Sequence, residues 1–190
     1  MCNNLLATVF IVLAIAGRAE AQEHHRGANA PGAGQTSYAG YQNRGVKALS
    51  AQQISDLRNG RGMGLALAGE LNGYPGPAHS LELADRLGLS LEQRSQTEAA
   101  LAAMTAETKA IGEEVITGER ALDRLFADRA ITQGKLDAAV MTIALAQGRL
   151  RAAHLRYHLR MADVLSPEQA ATYALLRGYE EDDASPAHTR

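Results

Sequence analysis

From Ser90 to Ala127 the chain reads SLEQRSQTEAALAAMTAETKAIGEEVITGERALDRLFA, and from Gln133 to Leu165 it reads QGKLDAAVMTIALAQGRLRAAHLRYHLRMADVL. In the first stretch Leu101, Met104, Thr108, Ile111, Val115, Gly118, Leu122 and Leu125 follow one another three or four residues apart. In the second, Leu136, Val140, Ile143, Gln147, Leu150, His154, Tyr157, Met161 and Leu165 do the same. A helix advances about 100° per residue, so this spacing gathers each set on one face and predicts two long amphipathic helices. At about 1.5 Å of rise per residue each would be roughly 50 Å long. Only a short link around Asp128-Arg129-Ala130-Ile131 separates them, so they must run antiparallel as a hairpin.

Working outward, one short pattern recurs three times, as Leu49-Ser50-Ala51-Gln52-Gln53, Leu89-Ser90-Leu91-Glu92-Gln93 and Leu165-Ser166-Pro167-Glu168-Gln169. Each is a capping box, in which the serine accepts from the amide three residues on and the glutamine reaches back. The leucine ahead of it acts as a hydrophobic staple. Pro167 stands at the first helical position, where a missing N–H costs nothing. Thr132 suggests a further helix start, and Pro77 before His79, Leu81 and Leu83 a short helix. The first helix is expected from Ser50 to about Leu71, ended by Asn72-Gly73-Tyr74-Pro75-Gly76-Pro77. Its middle, Gly60-Arg61-Gly62-Met63-Gly64, weakens a helix by roughly 2 to 3 kcal/mol relative to alanine, so tertiary packing would have to hold it. Close approach of another helix explains the glycines better than a phosphate loop, which needs a preceding strand and a Lys-Ser/Thr pair. The fold expected is all-α: a long antiparallel helical hairpin with additional N-terminal and short C-terminal helices, spanning residues 49–179.

Composition agrees with this. The chain has 190 residues, no Trp and two Phe, so its core must be aliphatic. Lys and Arg total 19 against 21 Asp and Glu, a formal charge of −2 that gives no reason to expect nucleic acid binding. Residues 5–17, LLATVFIVLAIAG, are too short an apolar run for a comfortable membrane span, and Ala19-Glu20-Ala21 follows as an A-x-A cleavage site. Residues 1–21 read as a signal peptide, with an uncleaved anchor as the other reading. The only cysteine, Cys2, is upstream of that run, so the mature chain would carry neither disulfides nor thiol chemistry. Residues 22–48 are Gly/Ala/Ser/Asn-rich and read as a disordered tether, and residues 180–190 as a disordered acidic tail.

Two features point beyond a scaffold. A second apolar stripe on the later hairpin helix, with Met141, Leu145, Leu155 and Leu159, lies about 140° from the first. A hairpin buries one stripe per helix, so the second is expected to face another element, a homodimer partner or an unfolded client. His154 and His158 stand one turn apart, with Met161 two turns from His154 within about 20° of the same direction. Imidazoles with a thioether suit a divalent transition metal such as Zn, Ni, Co or Cu. Further ligands would come from a facing element, with Glu107, Glu113, Glu114, His79 or Met63 as candidates. The competing reading makes His154 a packed seam residue and His158 a solvated one. If Gln22 became the N-terminus, His24 would stand third and could complete a square-planar Cu(II) or Ni(II) site. No G-x-S-x-G, Cys/His pair or phosphate loop appears, so no catalytic residue is assigned.

A secreted chain with a long helical hairpin and repeated L-[ST]-x-x-Q boxes, here Leu89-Ser90-Gln93, Leu165-Ser166-Gln169 and Leu49-Ser50-Gln53, resembles the periplasmic Spy/CpxP group with its ZraP- and CnrX-type metal-resistance relatives. The resemblance covers about Leu49 to Tyr179. Gly60–Ala68 and Asn72–Pro77 look like a subfamily of periplasmic heavy-metal sensors. The resemblance implies a periplasmic stress-response protein, dimeric or larger, that holds unfolded clients without ATP or senses metal for a membrane signalling protein. His154, His158 and Met161 occupy a comparable late-hairpin region, although the first helix offers no histidine. The function expected is a metal-sensing or envelope-stress accessory protein without catalysis, with an ATP-independent chaperone as the alternative and a purely structural dimer as the third reading.

Overall fold

The computed structural model describes residues 36–180; the expected signal peptide, His24, most of the expected tether and the acidic tail lie outside them. After a 3-10 turn at Tyr41–Asn43 come α1 (Ala51–Asn59), α2 (Leu67–Glu70), α3 (Pro77–Glu82), α4 (Leu91–Ala127), α5 (Gln133–Val164) and α6 (Pro167–Arg177). The class is all-α, with no strand among the described residues. No helix among them is long and apolar enough to cross a membrane.

The 37 residues of α4 and 32 of α5 form the hairpin, about 55 and 48 Å long at 1.5 Å per residue. Both seams bury the expected face in their middle, Met104, Thr108, Ile111 and Val115 against Ile143, Leu150 and His154. Gly118 permits close approach, since a Cβ there would stand 2.8 Å from Ile143 Cγ1. Outside the seam, Arg149 pairs with Glu114 at 2.6 Å and Arg156 with Glu107 at 2.9 Å. Exposed pairs of this kind hold register more than they add stability.

All three capping boxes form, with both bonds present in each. Their staples Leu49, Leu89 and Leu165 are buried. Two of the boxes also join each other. Gln93 Nε2 donates to Gln169 Oε1 at 2.7 Å and Gln169 Nε2 donates to Gln93 Oε1 at 3.1 Å. The same amides reach Val164 O and Leu87 O, so the starts of α4 and α6 are locked into one polar knot at the hairpin base.

The expected single helix from Ser50 to Leu71 does not exist. It stops at Asn59, where Gly60 takes a left-handed φ of 66° and Arg61 N–H donates to Asp56 O while Gly60 N–H donates to Leu57 O. That is a Schellman ending. Met63 and Gly64 are also left-handed, and helix resumes only for one turn at α2. The glycine penalty therefore outweighs what packing could recover at this point. The close approach expected of these glycines holds at Gly60, where a Cβ would stand 2.6 Å from Thr108 Oγ1. The expected tether also ends sooner than residue 48. Val46 is buried in the core and Lys47 pairs with Asp123 at 2.9 Å.

Two apolar clusters result. One joins Val46, Leu49 and Leu57 to Ile111, Val115, Ile116, Leu150 and Ala153, placing α1 against the middle of the hairpin. Here Gly112 gives way to α1, since a Cβ would come within 2.5 Å of Leu57 O. The other, at the base, gathers Ala84, Leu87, Leu89, Ala100, Met161, Leu165 and Tyr173. Met104, His154 and His158 fall between the two along α4 and α5.

Candidate functional site

A cavity of about 320 Å³ opens between the two clusters, bordered by Glu70 of α2, His79 of α3, Met104 of α4, and His154 and His158 of α5. Met63 from the loop ahead of α2 and Arg177 with Tyr179 from the end of α6 complete its rim. A second groove of about 520 Å³, beside α1 and α5, is lined by Leu49, Leu57, Leu65 and Leu150 with Gln53, Gln147 and Arg151, and no carboxylate or imidazole among the described residues borders it. The chemistry is in the first.

Glu70 is its centre. Only 7% exposed, it accepts at Oε1 from the hydroxyls of Tyr173 and, at 2.9 Å, Tyr179, and stands 3.2 Å from His79 Nδ1. Arg177 Nε lies 3.7 Å from the same oxygen. Burial by itself pushes this carboxyl up, but the two phenols and the potential of His79 and His158 outweigh it and hold Glu70 below the usual carboxylate range. The mirror effect appears on Tyr173, whose phenol is raised far by burial and by Glu70, so it remains a donor.

His158 Nδ1 stands 2.7 Å from Tyr74 O and 3.6 Å from Glu70 Oε2. A carbonyl only accepts, so Nδ1 carries the hydrogen in that bond, and the lone pair of a neutral His158 is on Nε2. Gly76 makes room for this ring, since a Cβ there would come within 2.9 Å of His158 Cε1 and 3.3 Å of Glu70 Oε2. His154 is buried, and its Nε2 has no hydrogen-bond partner. Burial first and the neighbouring His158 second lower its pKa, which keeps it neutral and able to give a lone pair.

Of the residues singled out from sequence, His154 and His158 meet at the cavity, and both are buried, so the solvated reading of His158 is wrong. Met161 does not border the cavity. Seven residues beyond His154, it is about 10 Å further along the axis, fully buried in the base cluster. Glu107, Glu113 and Glu114 are also elsewhere, paired with Arg156, Arg58 and Arg149 on the outer faces. His79 and Met63 do border the cavity. On the second stripe Met141, Leu145 and Leu159 are 69%, 66% and 57% exposed, whereas Leu155 is half-buried beneath Gly69.

Sequence reasoning missed Glu70, Met104, Tyr173, Arg177 and Tyr179 as site residues. Glu70 carried a signal, being the only acidic residue between Asp56 and Glu82 and set in the apolar run Leu65-Ala66-Leu67-Ala68-Gly69. An isolated acid beside such a run is either solvated or a buried hub.

As they stand, no three His, Cys, Asp or Glu side chains among the described residues converge as a metal-ligating group. The Glu70 Oε1 oxygen is engaged by protein donors while Oε2, among the described residues, meets only His158 Nδ1 at 3.6 Å, and His154 Nε2 is an orphan that a small ion could satisfy. No family model, curated protein or solved structure matches the chain.

Proposed function

We propose that the protein is a non-catalytic accessory protein of the bacterial periplasm that binds a transition-metal ion in the cavity around Glu70. The observation that carries this is the buried, unpartnered Nε2 of His154. A buried polar atom without a partner costs about 1 to 3 kcal/mol, which an ion would recover. The surrounding donors suit that role: the imidazoles of His158 and His79, the Glu70 carboxylate, and the thioethers of Met63 and Met104. Nitrogen and sulfur favour zinc, nickel, cobalt or copper over magnesium or calcium. His154 and His158 would hold the ion and Glu70 would balance its charge. A membrane signalling protein is the partner that would read the loaded state.

Isothermal titration of Zn²⁺, Ni²⁺, Co²⁺ and Cu²⁺ into the folded protein tests this. One saturable site is expected, abolished by His154→Ala with His158→Ala and kept by Met161→Leu. Binding that survives the double substitution, or no saturable binding, contradicts it.

A second reading is supported by the open face of α5. Met141, Leu145 and Leu159 present apolar surface on one side of a two-helix rod, which suits an unfolded client held without ATP or a second copy of the chain. Suppression of client aggregation at stoichiometric protein, lost in Met141→Ser/Leu145→Ser/Leu159→Ser, supports the client; no suppression eliminates it.

A further inference from the structure

Glu70 belongs to two structures at once. Among the described residues it is the only carboxylate bordering the cavity, and it is the acceptor that holds the end of α6. Three of its neighbours, Tyr173, Arg177 and Tyr179, fall within seven residues at the end of α6 and just beyond it. They also touch one another: Arg177 Nε donates to the Tyr179 hydroxyl at 3.2 Å, and the Tyr173 and Tyr179 rings lie 6.5 Å apart. The start of α6 is fixed separately, by the Gln93–Gln169 knot.

Charge decides what an arriving cation does here. The cavity holds one carboxylate, and Arg177 already stands 3.7 Å from it. A divalent ion placed beside the same carboxylate draws on its lone pairs and repels the guanidinium at close range. Of the groups around Glu70, Arg177 is the one a cation repels that has room to leave: unlike His79 it has no lone pair to offer the ion, its side chain is 30% exposed, and it is the final residue of α6. Tyr173 is a buried member of the base cluster, so it stays, whereas Tyr179 packs against that cluster from its edge and is only partly buried.

We infer that Glu70 is a latch coupling the cavity to the C-terminal helix: a cation bound in the cavity displaces Arg177, and with it Tyr179, and frees the last turn of α6. This rests on the cavity being an ion site, and it adds how occupancy would be read at the outside of the protein. The signal would be the ordered or released state of residues 174–179, which lead directly into the acidic segment that follows.

Hydrogen exchange of the backbone amides of α6, followed by mass spectrometry on the full chain with and without saturating Zn²⁺, tests the latch, with calorimetry on the same sample reporting binding. Amides of 174–179 are expected to exchange about tenfold faster with Zn²⁺, the factor for losing one charge-assisted hydrogen bond, while those of the hairpin base stay protected. Arg177→Gln, a substitution at a partly exposed site, should show the faster exchange without metal, little further change with it, and tighter Zn²⁺ binding. Glu70→Gln should also free the segment without metal, and its exchange should not respond to Zn²⁺. Heat of binding with unchanged or slower exchange at 174–179 overturns the latch and leaves the ion site standing. No heat of binding overturns both; in that case the Glu70→Gln exchange still shows whether Glu70 holds α6.

Discussion

The two ends of the hairpin are built from the same helices and held by different forces. Toward the tip, from Gly118 to Met141, none of the residues of α4 or α5 is fully buried, and the ends meet through a short turn. There Arg129, with φ 53°, closes α4 by donating to Phe126 O while Ala130 N–H donates to Leu125 O. From the middle to the base the same two helices are covered by α1, α2 and α3, with Tyr173 of α6 in the base cluster, and Glu70, His154 and His158 are buried there. The tip needs only periodicity and a turn. At the base, polar groups distant in sequence must find one another, and that is where a site arises.

Core truncation should separate the ends most sharply. Ile116→Ala, at a fully buried position, should cost about 3 kcal/mol, whereas Leu125→Ala near the tip should cost about 1 kcal/mol or less, both read by urea denaturation. Comparable losses would mean the tip is as tightly packed as the middle. The knot at the base comes next. Gln169→Ala should cost about 2 kcal/mol, since it breaks the capping box, removes both bonds to the Gln93 amide and takes the side-chain donor from Leu87 O, while Gln53→Ala, in a box that stands alone, should cost about 1 kcal/mol. A cycle with Gln93→Ala should show strong coupling, and additivity would dissolve the knot.

Acid should then act on the base and spare the tip. His154 is held below 6.5 and Glu70 below 4.5 in the folded protein, so the unfolded chain binds more protons than the native one as pH falls. Each group contributes stability above its unfolded pKa and loses it on acidification, His154 from about pH 6.5 downward and Glu70 below about 4.5. The melting temperature should fall in that order, and His154→Gln should flatten the first part of the decline. The smallest effect belongs to the tip, where Arg129→Gly should raise stability by up to about 1 kcal/mol, because glycine adopts the left-handed conformation without strain.

This contrast also explains what could be read in advance. Seam residues such as Ile111, Val115 and Leu150, the three capping boxes and the short link at Asp128 depend on spacings within one helix, and all were legible. The break at Gly60 was not, because it depended on whether packing would outweigh three glycines. The site was half legible. His154 and His158 stand one turn apart on one helix, but Glu70, Tyr173 and Tyr179 come together across more than one hundred residues, which no periodicity reports. Met161 agrees with His154 in angle, but it packs in the base cluster and does not border the cavity, a placement that a helical projection does not report.

The most direct test of the ion site is an anomalous difference map from crystals of the protein grown with Zn²⁺ and measured at the zinc edge. The account predicts one strong peak in the cavity between α2 and α5, within about 2.1 Å of an imidazole nitrogen of His154 or His158. An empty cavity, or zinc only at histidines outside it, would contradict it.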